Sequence, residues 1–201
     1  NLFLHDIDDA NLALGDTLLD PKHLTGGGAG AKGLKTFDRV IANPPFSEKE
    51  WGYESWSKGD PFGRDLYGCP PKSYGDLAFL QHMIASLNAT GKLGVVLPHG
   101  ILFRAGAEGK IREAIIRDDL IEGIIGLGPN LFYGTGIPAC IVIINKAKAQ
   151  DWQNGIFFIN AAREYVEGRN QNYLSDDNIA RIVNTYTQGQ EEDGLAKFAT
   201  L

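Results

Sequence analysis

The sequence predicts an α/β fold built on a mainly parallel, doubly wound sheet, on two observations. Short runs of continuous Val, Ile and Leu suit strands covered on both faces, and segments of helical periodicity alternate with them. In chain order the strands are "FDRVIA" (Phe37 to Ala42), "KLGVVLP" (Lys92 to Pro98), "LIEGIIGL" (Leu120 to Leu127) and "ACIVIINK" (Ala139 to Lys146), with "IFFINA" (Ile156 to Ala161) as a candidate fifth. Between the first two, "GDLAFLQHMIASLNATG" sets Leu77, Leu80, Ile84 and Leu87 at helical spacing and stops at Gly91. A second helix, "EGKIREAIIRDD", separates the next pair, and the alternation implies right-handed crossovers.

From Arg163 the chain turns polar. One helix is expected there, starting near Ser175, whose hydroxyl can cap the first turn while Asp176 and Asp177 complement the helix dipole. The expected division is therefore residues 1–162, the sheet, and residues 163–201, a polar and helical C-terminal extension.

Composition bounds the function. With 201 residues, 43% of them apolar, the chain can bury one substantial core. Its 25 acidic against 19 basic side chains give a formal charge of -6, so any contact with nucleic acid must be local or lent by a partner. Cys69 and Cys140 are the only cysteines and have neither disulfide-framework nor zinc spacing, which fits a reducing, cytoplasmic setting and no metal. The runs "LGVVL" and "ACIVII" are far shorter than the ~20 residues that span a bilayer, so no membrane role is expected. Asn1 opens directly into patterned sequence, as if cut from something longer.

Gly28, Gly30 and Gly33 in "GGGAGAKG" match G-x-G-x-x-G, the spacing of a dinucleotide-binding turn. That turn works only where a strand delivers the glycines to a helix N-terminus. Here "DPKHLT" precedes them and a strand follows, so a flexible surface loop is expected.

The chemistry concentrates in "VIANPPFS", Val40 to Ser47. Asn43 falls where the first strand ends, and in open α/β sheets ligands bind beyond the carboxyl ends of the strands. Pro44 and Pro45 fix their own φ, and each keeps the residue before it extended, so Asn43 and Pro44 are both held out of the helical region. The loop thus offers the Asn43 side-chain oxygen and the Pro44 carbonyl as fixed acceptors, with the ring of Phe46 close by for stacking. Two acceptors and an aromatic face suit a planar amine. Asn-Pro-Pro also ends strands as a plain turn, and its place directly after "FDRVIA" favours the site.

The chain resembles amino-methyltransferases with an N-P-P-F/Y motif, and in particular the modification (M) subunit of type I restriction-modification systems, an N-6 adenine-specific DNA methyltransferase family. The likeness covers nearly the whole chain, through "FDRVIANPPFS", "YGDLAFLQHMIASL", "GKLGVVLPHGILFR", "AEGKIREAII", "IIGLGPNLFYGTGIPACIVIINK" and "NQNYLSDDNIARIV", in that order. It implies a Rossmann-like sheet dependent on S-adenosylmethionine, truncated on its N-terminal side, and methyl transfer to the exocyclic amine of a flipped adenine. It implies that Asn43, Pro44, Pro45 and Phe46 form the catalytic loop, with Phe132 as the second stacking aromatic and Tyr133 as its alternate. Asp16 in "LGDTL", Asp76 and Phe79 correspond to the methyl-donor site, and His99 is expected to be structural. DNA, a specificity (S) subunit and a restriction (R) subunit are the implied partners. Two other readings remain open: a methyltransferase for RNA bases or protein glutamine, and a non-catalytic module that docks a partner through the extension.

The family's Gly-rich turn and the acidic residue after its second strand do not precede "NLFLHDIDDANLALGDTLL". A fragment is therefore expected, one that alone binds S-adenosylmethionine weakly and methylates no DNA. The edge of "FDRVIA" is expected to be open and prone to self-association. The long loop from Glu48 to Tyr74, with Trp51, Trp56, Lys58, Arg64 and Lys72, is a candidate DNA-facing flap or a mobile surface loop.

Overall fold

A computed structural model describes residues 10–26, 33–133 and 135–201. Among them are six strands, β1 (Phe37–Ala42), β2 (Leu87–Pro98), β3 (Ile121–Leu127), β4 (Ala139–Asn145), β5 (Gly155–Ala161) and β6 (Ala196–Thr200). Four α-helices accompany them: α1 (Tyr53–Trp56), α2 (Asp76–Ala85), α3 (Ala107–Arg117) and α4 (Asp176–Gln188). The strands form one sheet in the order β1-β2-β4-β3-β5-β6.

The sheet is α/β as expected, but mixed rather than mainly parallel. Helix α2 carries β1 to a parallel β2, and β5 runs parallel to β3. Strand β4 lies between β2 and β3 antiparallel to both, and β6 is antiparallel to β5. The connection from β3 to β4 contains no helix, so the chain turns back instead of crossing over. A strand covered on both faces reads as a continuous apolar run whichever way it points, which is why the sequence concealed the reversal. Helix α2 also ends earlier than expected, at Ala85: Leu87 already pairs with Phe37, so "LNATG" opens β2.

Alternate residues of each strand serve two cores. Val142 and Ile144 of β4 join Leu93, Val95 and Leu97 of β2 beneath Leu77, Leu80 and Ile84 of α2 and Ile111 and Ile115 of α3. Ile143 instead joins Ile125, Phe157, Ile159 and Ile182 of α4. Helix α4 starts on the expected Ser175, in a capping box with Asn178. The face beside β1 and β2 left uncovered by α4 is an apolar groove of about 410 Å³, with Ile41 87% exposed at its rim. None of the described helices is long and apolar enough to cross a membrane.

The segment from Glu48 to Tyr74 is packed, which corrects the flap expectation. Trp51 and Trp56 are 2% exposed and form a cluster with Leu18 and Ala78, their rings edge to face at 5.6 Å. Gly75, which precedes α2, must lack a side chain, because a Cβ there would lie 2.6 Å from the Cβ of Trp51. Arg64 is buried too. It pairs with Asp60 at 2.5 Å and donates to the carbonyls of Thr17 and Leu18 at 3.3 and 2.7 Å, tying the segment before β1 to the loop after it. Only Lys58 and Lys72 of the five candidate residues are exposed, and Lys72 pairs with Glu54. Gly28 and Gly30 lie outside the described residues; the Gly33 carbonyl accepts from Thr25 N–H at 2.9 Å just ahead of β1.

His82 of α2 sits 3.1 Å from the Arg64 guanidinium, and burial, then that charge, lower its pKa to about 4. The unfolded imidazole titrates near 6.5, so between pH 6.5 and 4 the unfolded chain takes up a proton that the native state refuses. Stability should therefore fall as pH drops through this window, by roughly 2–3 kcal/mol at its lower end. Urea unfolding at pH 7 and 4.5 should show that loss in the wild type and much less of it in His82→Gln, whose amide oxygen can still accept from Arg64.

Candidate active site

Strand β1 runs at the sheet edge and delivers Asn43 to its carboxyl end. Asn43 is exposed, and among the described residues its amide makes no hydrogen bond; Pro44 behind it is buried. The chain then bends sharply, and Ser47 takes the left-handed conformation at φ 54°. Two contacts secure the bend to the start of α2. Ser47 N–H donates to Asp76 Oδ1 at 2.7 Å, and Gly75 N–H donates to the Glu48 carbonyl at 2.9 Å. The loop's stiffness is therefore both intrinsic, from the prolines, and imposed, from α2.

The half-buried ring of Phe46 meets Phe132 edge to face, with centroids 5.7 Å apart. Phe132 comes from the loop after β3, so residues 86 positions apart in sequence supply the two rings. Tyr133 is 94% exposed beside them. The polar C-terminal segment secures this second loop: Gln171 Nε2 donates to the Leu131 carbonyl at 2.8 Å and Asn172 Nδ2 to the Pro129 carbonyl at 3.0 Å. Asn172 N–H also donates to the Asn130 carbonyl, at 2.9 Å. Between the two segments is a hollow of about 460 Å³, lined by Phe132, Tyr133, Gln171, Asn172 and Tyr173 among others.

The donor-site candidates behave differently from one another. Asp16 is exposed and folds its Oδ1 back onto the N–H groups of Leu18 and Leu19 at 2.9 and 2.8 Å, and among the described residues its Oδ2 is left open as an acceptor. Phe79 packs half-buried against the cluster that contains Leu18, Trp51 and Trp56, so Asp16 and Phe79 share one support. Asp76 is completely buried. Its Oδ1 serves Ser47 and its Oδ2 accepts from Arg104 Nη1 at 3.1 Å, so no oxygen of Asp76 faces solvent. Asp16 thus keeps an exposed carboxylate and Phe79 a half-buried ring, whereas both oxygens of Asp76 are buried and occupied. His99 stands where β2 ends; its Nε2 is buried without a partner among the described residues, and burial lowers the pKa of the ring.

The model of the N-6 DNA methylase family matches residues 1–201. The chain belongs to that family. It is 36% identical over 204 residues to the MjaVIII type I restriction enzyme methylase subunit of Methanocaldococcus jannaschii, covering 98% of this chain and 35% of the relative. It is 36% identical over 197 residues to the HindI type I methylase subunit of Haemophilus influenzae, covering 96% of this chain and 41% of the relative. A type I restriction-modification methyltransferase subunit from Streptococcus thermophilus superposes with a TM-score of 0.79 at 34% identity, covering 99% of this chain and 41% of that one. The chain thus spans well under half the length of the relatives it matches.

Two supports of the candidate site escaped the sequence reading. One is Arg104, which bridges Asp76 and Glu108 (3.3 Å) and lies 4.0 Å over the ring of Tyr74. Its only local signal was the i,i+4 pairing of Arg104 with Glu108 in "FRAGAEGK". The other is the pair Gln171 and Asn172, whose target is main chain and so leaves no complementary residue to find. Gln171→Ala should strip the Leu131 carbonyl of its donor, cost about 1 kcal/mol, and speed amide exchange in residues 130–133. Hydrogen-exchange mass spectrometry of variant and wild type reads that outcome directly.

Proposed function

We propose that this chain carries the target-base side of a DNA adenine N6-methyltransferase, the modification subunit of a type I restriction-modification system acting in the cytosol. The observation that carries the reading is the open Asn43 amide on a doubly fixed loop whose Phe46 ring meets Phe132. The exocyclic amine of adenine is a weak nucleophile because its lone pair is delocalised into the ring. Asn43 Oδ1 and the Pro44 carbonyl accept its two N–H groups and favour a pyramidal nitrogen, which frees the lone pair. Preorganised acceptors of this kind lower the barrier without a strong general base. Phe46 and Phe132, in contact edge to face, form an aromatic wall for the flipped base, with Tyr133 at the exposed rim. S-adenosylmethionine, when bound, supplies the electrophilic methyl group; Asp16 and Phe79 would hold its adenine end.

The partners follow from charge and kinship. An acidic chain needs phosphate affinity from elsewhere, and the relatives are named as subunits of type I restriction enzymes, so DNA, a specificity subunit and a restriction subunit are the proposed partners. Kinship with these subunits also favours DNA over RNA or protein glutamine as substrate. The test is methyl transfer by the full-length methylase, with its specificity subunit, to adenine-bearing DNA against RNA and glutamine peptides. Transfer to RNA or peptide in place of DNA would sink the reading. Asn43→Ala should lower kcat on DNA by about 10²–10³-fold and change DNA affinity far less.

Among the described residues strand β1 has no neighbour on its outer side, and its Ile41 is 87% exposed at the rim of the apolar groove. An open edge and an apolar groove favour self-association of the isolated chain. Sedimentation should show concentration-dependent dimers, weakened by Ile41→Lys; a monomer at all concentrations would refute this.

A further inference from the structure

We propose that Asp76 is a positioning residue for methyl transfer: braced by Arg104, its carboxylate sets the bend at Ser47 and through it the direction of the Asn43 and Pro44 oxygens. The inference rests on the functional reading above and deepens it.

Asp76 is 0% exposed, so a bound donor cannot touch it without displacing what covers it. Its two oxygens face opposite ways along the site. Oδ1 accepts from Ser47 N–H at 2.7 Å and Oδ2 from Arg104 at 3.1 Å. Ser47 has no conformational reason of its own to sit at φ 54°; that region is disfavoured for a side chain with a Cβ and persists only where its surroundings hold it. A charge-assisted hydrogen bond to the Ser47 N–H is such a hold. Ser47 follows Phe46 directly and lies three residues after Pro44. Only Pro45 and Phe46 lie between, and with φ fixed at both Pro44 and Pro45 few torsions are free, so an orientation imposed at Ser47 passes back to the acceptors.

Arg104 is fixed in turn. Glu108 accepts from it at 3.3 Å, Tyr74 lies under it, and Arg112 Nη1 donates to its carbonyl at 3.1 Å. Gly100 leaves room for it: a Cβ at that position would lie 2.5 Å from the Arg104 Cζ. Gly100→Ala should therefore push the guanidinium off Asp76 while leaving every charge in place, at little cost because the far end of a flexible side chain moves.

The experiment uses the full-length methylase with its specificity subunit and compares Asp76→Ala, Asp76→Asn, Gly100→Ala and Arg104→Lys. Steady-state constants are measured for S-adenosylmethionine and DNA, and base capture is followed by 2-aminopurine fluorescence at the target position. Positioning predicts a kcat loss of about 10- to 100-fold in Asp76→Ala and Gly100→Ala, with the KM for S-adenosylmethionine within about twofold of wild type. Asp76→Asn, which keeps an acceptor for Ser47, and Arg104→Lys, which keeps the cation, should recover part of the loss. If Asp76→Ala does not fold, the other three variants decide. A raised KM for S-adenosylmethionine with kcat intact would return Asp76 to the donor site, and unchanged kcat in Gly100→Ala and Asp76→Asn would remove the positioning role. Wild-type protein inactive on adenine DNA would instead overturn the functional reading itself.

Discussion

The site depends on where β1 stops. Its parallel register with β2, Val40 opposite Leu93 and Ala42 opposite Val95, fixes the height at which the strand leaves the sheet. Two prolines then deny the chain both a ladder donor and helical continuation, so Asn43 is left at the sheet's carboxyl edge with its amide unspent. A slip of one residue in that register would invert the faces of β1 and move Asn43 off the edge. The register is held from both sides of the pair: Leu93 and Val95 are core residues beneath α2, while Phe37 N–H donates to the Ser86 carbonyl at the strand's start.

From that point the molecule supports each part of the site separately. The Phe46 side is bolted to α2 and, through Arg104, to the segment entering α3. The Phe132 side is bolted to the polar stretch before α4. The Asp16 side is bolted by Arg64, which reaches across from the loop after β1 to two carbonyls of the segment before it. In each case a long polar side chain satisfies main-chain carbonyls or a buried carboxylate that would otherwise be costly to bury. Buried ion pairs such as Arg64 with Asp60 are weak sources of net stability. Their value here is geometric, since each admits one arrangement of the loops it joins.

How much of this was legible in the sequence follows from the same division. Strands and helices declare themselves by periodicity, and β1 to β5, α2, α3 and the Ser175 cap lie close to where the pattern put them. Phe46 and Phe132 could be paired only through a family resemblance, because nothing local links two aromatics on different loops. The direction of β4 was hidden because burial pattern carries no polarity. Strand β6, "AKFAT", was hidden because half of it faces solvent at the sheet edge and its composition is ordinary. Trp51, Trp56 and Arg64 read as a flap because aromatic and basic residues in a Pro- and Gly-rich stretch look like a binding loop. They are a small core instead, and what decides it is Leu18, 33 residues upstream of Trp51. Tertiary partners at that distance leave no mark on a local pattern.

The fate of the basic side chains bears on partnership. Arg64 and Lys148 are buried, Lys148 between Asp119 at 2.6 Å and the Gly155 carbonyl. Lys92 serves Glu122, which also accepts from Tyr186 of α4, and Lys146 donates to the Leu87 carbonyl. Arg104 is committed to Asp76, and Arg112 to the carbonyls of Ile101 and Arg104. Several of the 19 cations thus work inside the fold, but acids go in with them, Asp60, Asp76, Glu108, Asp119 and Glu122 as their partners, so the surface keeps a net negative charge close to the formal -6. Phosphate neutralisation is what gives a protein its sequence-independent affinity for DNA, and it requires cations free to displace counterions. Under the proposed function, arginines that hold the loops of the base-binding side in place are not free to contact phosphate, which is the physical reason for assigning the grip on the duplex to a partner.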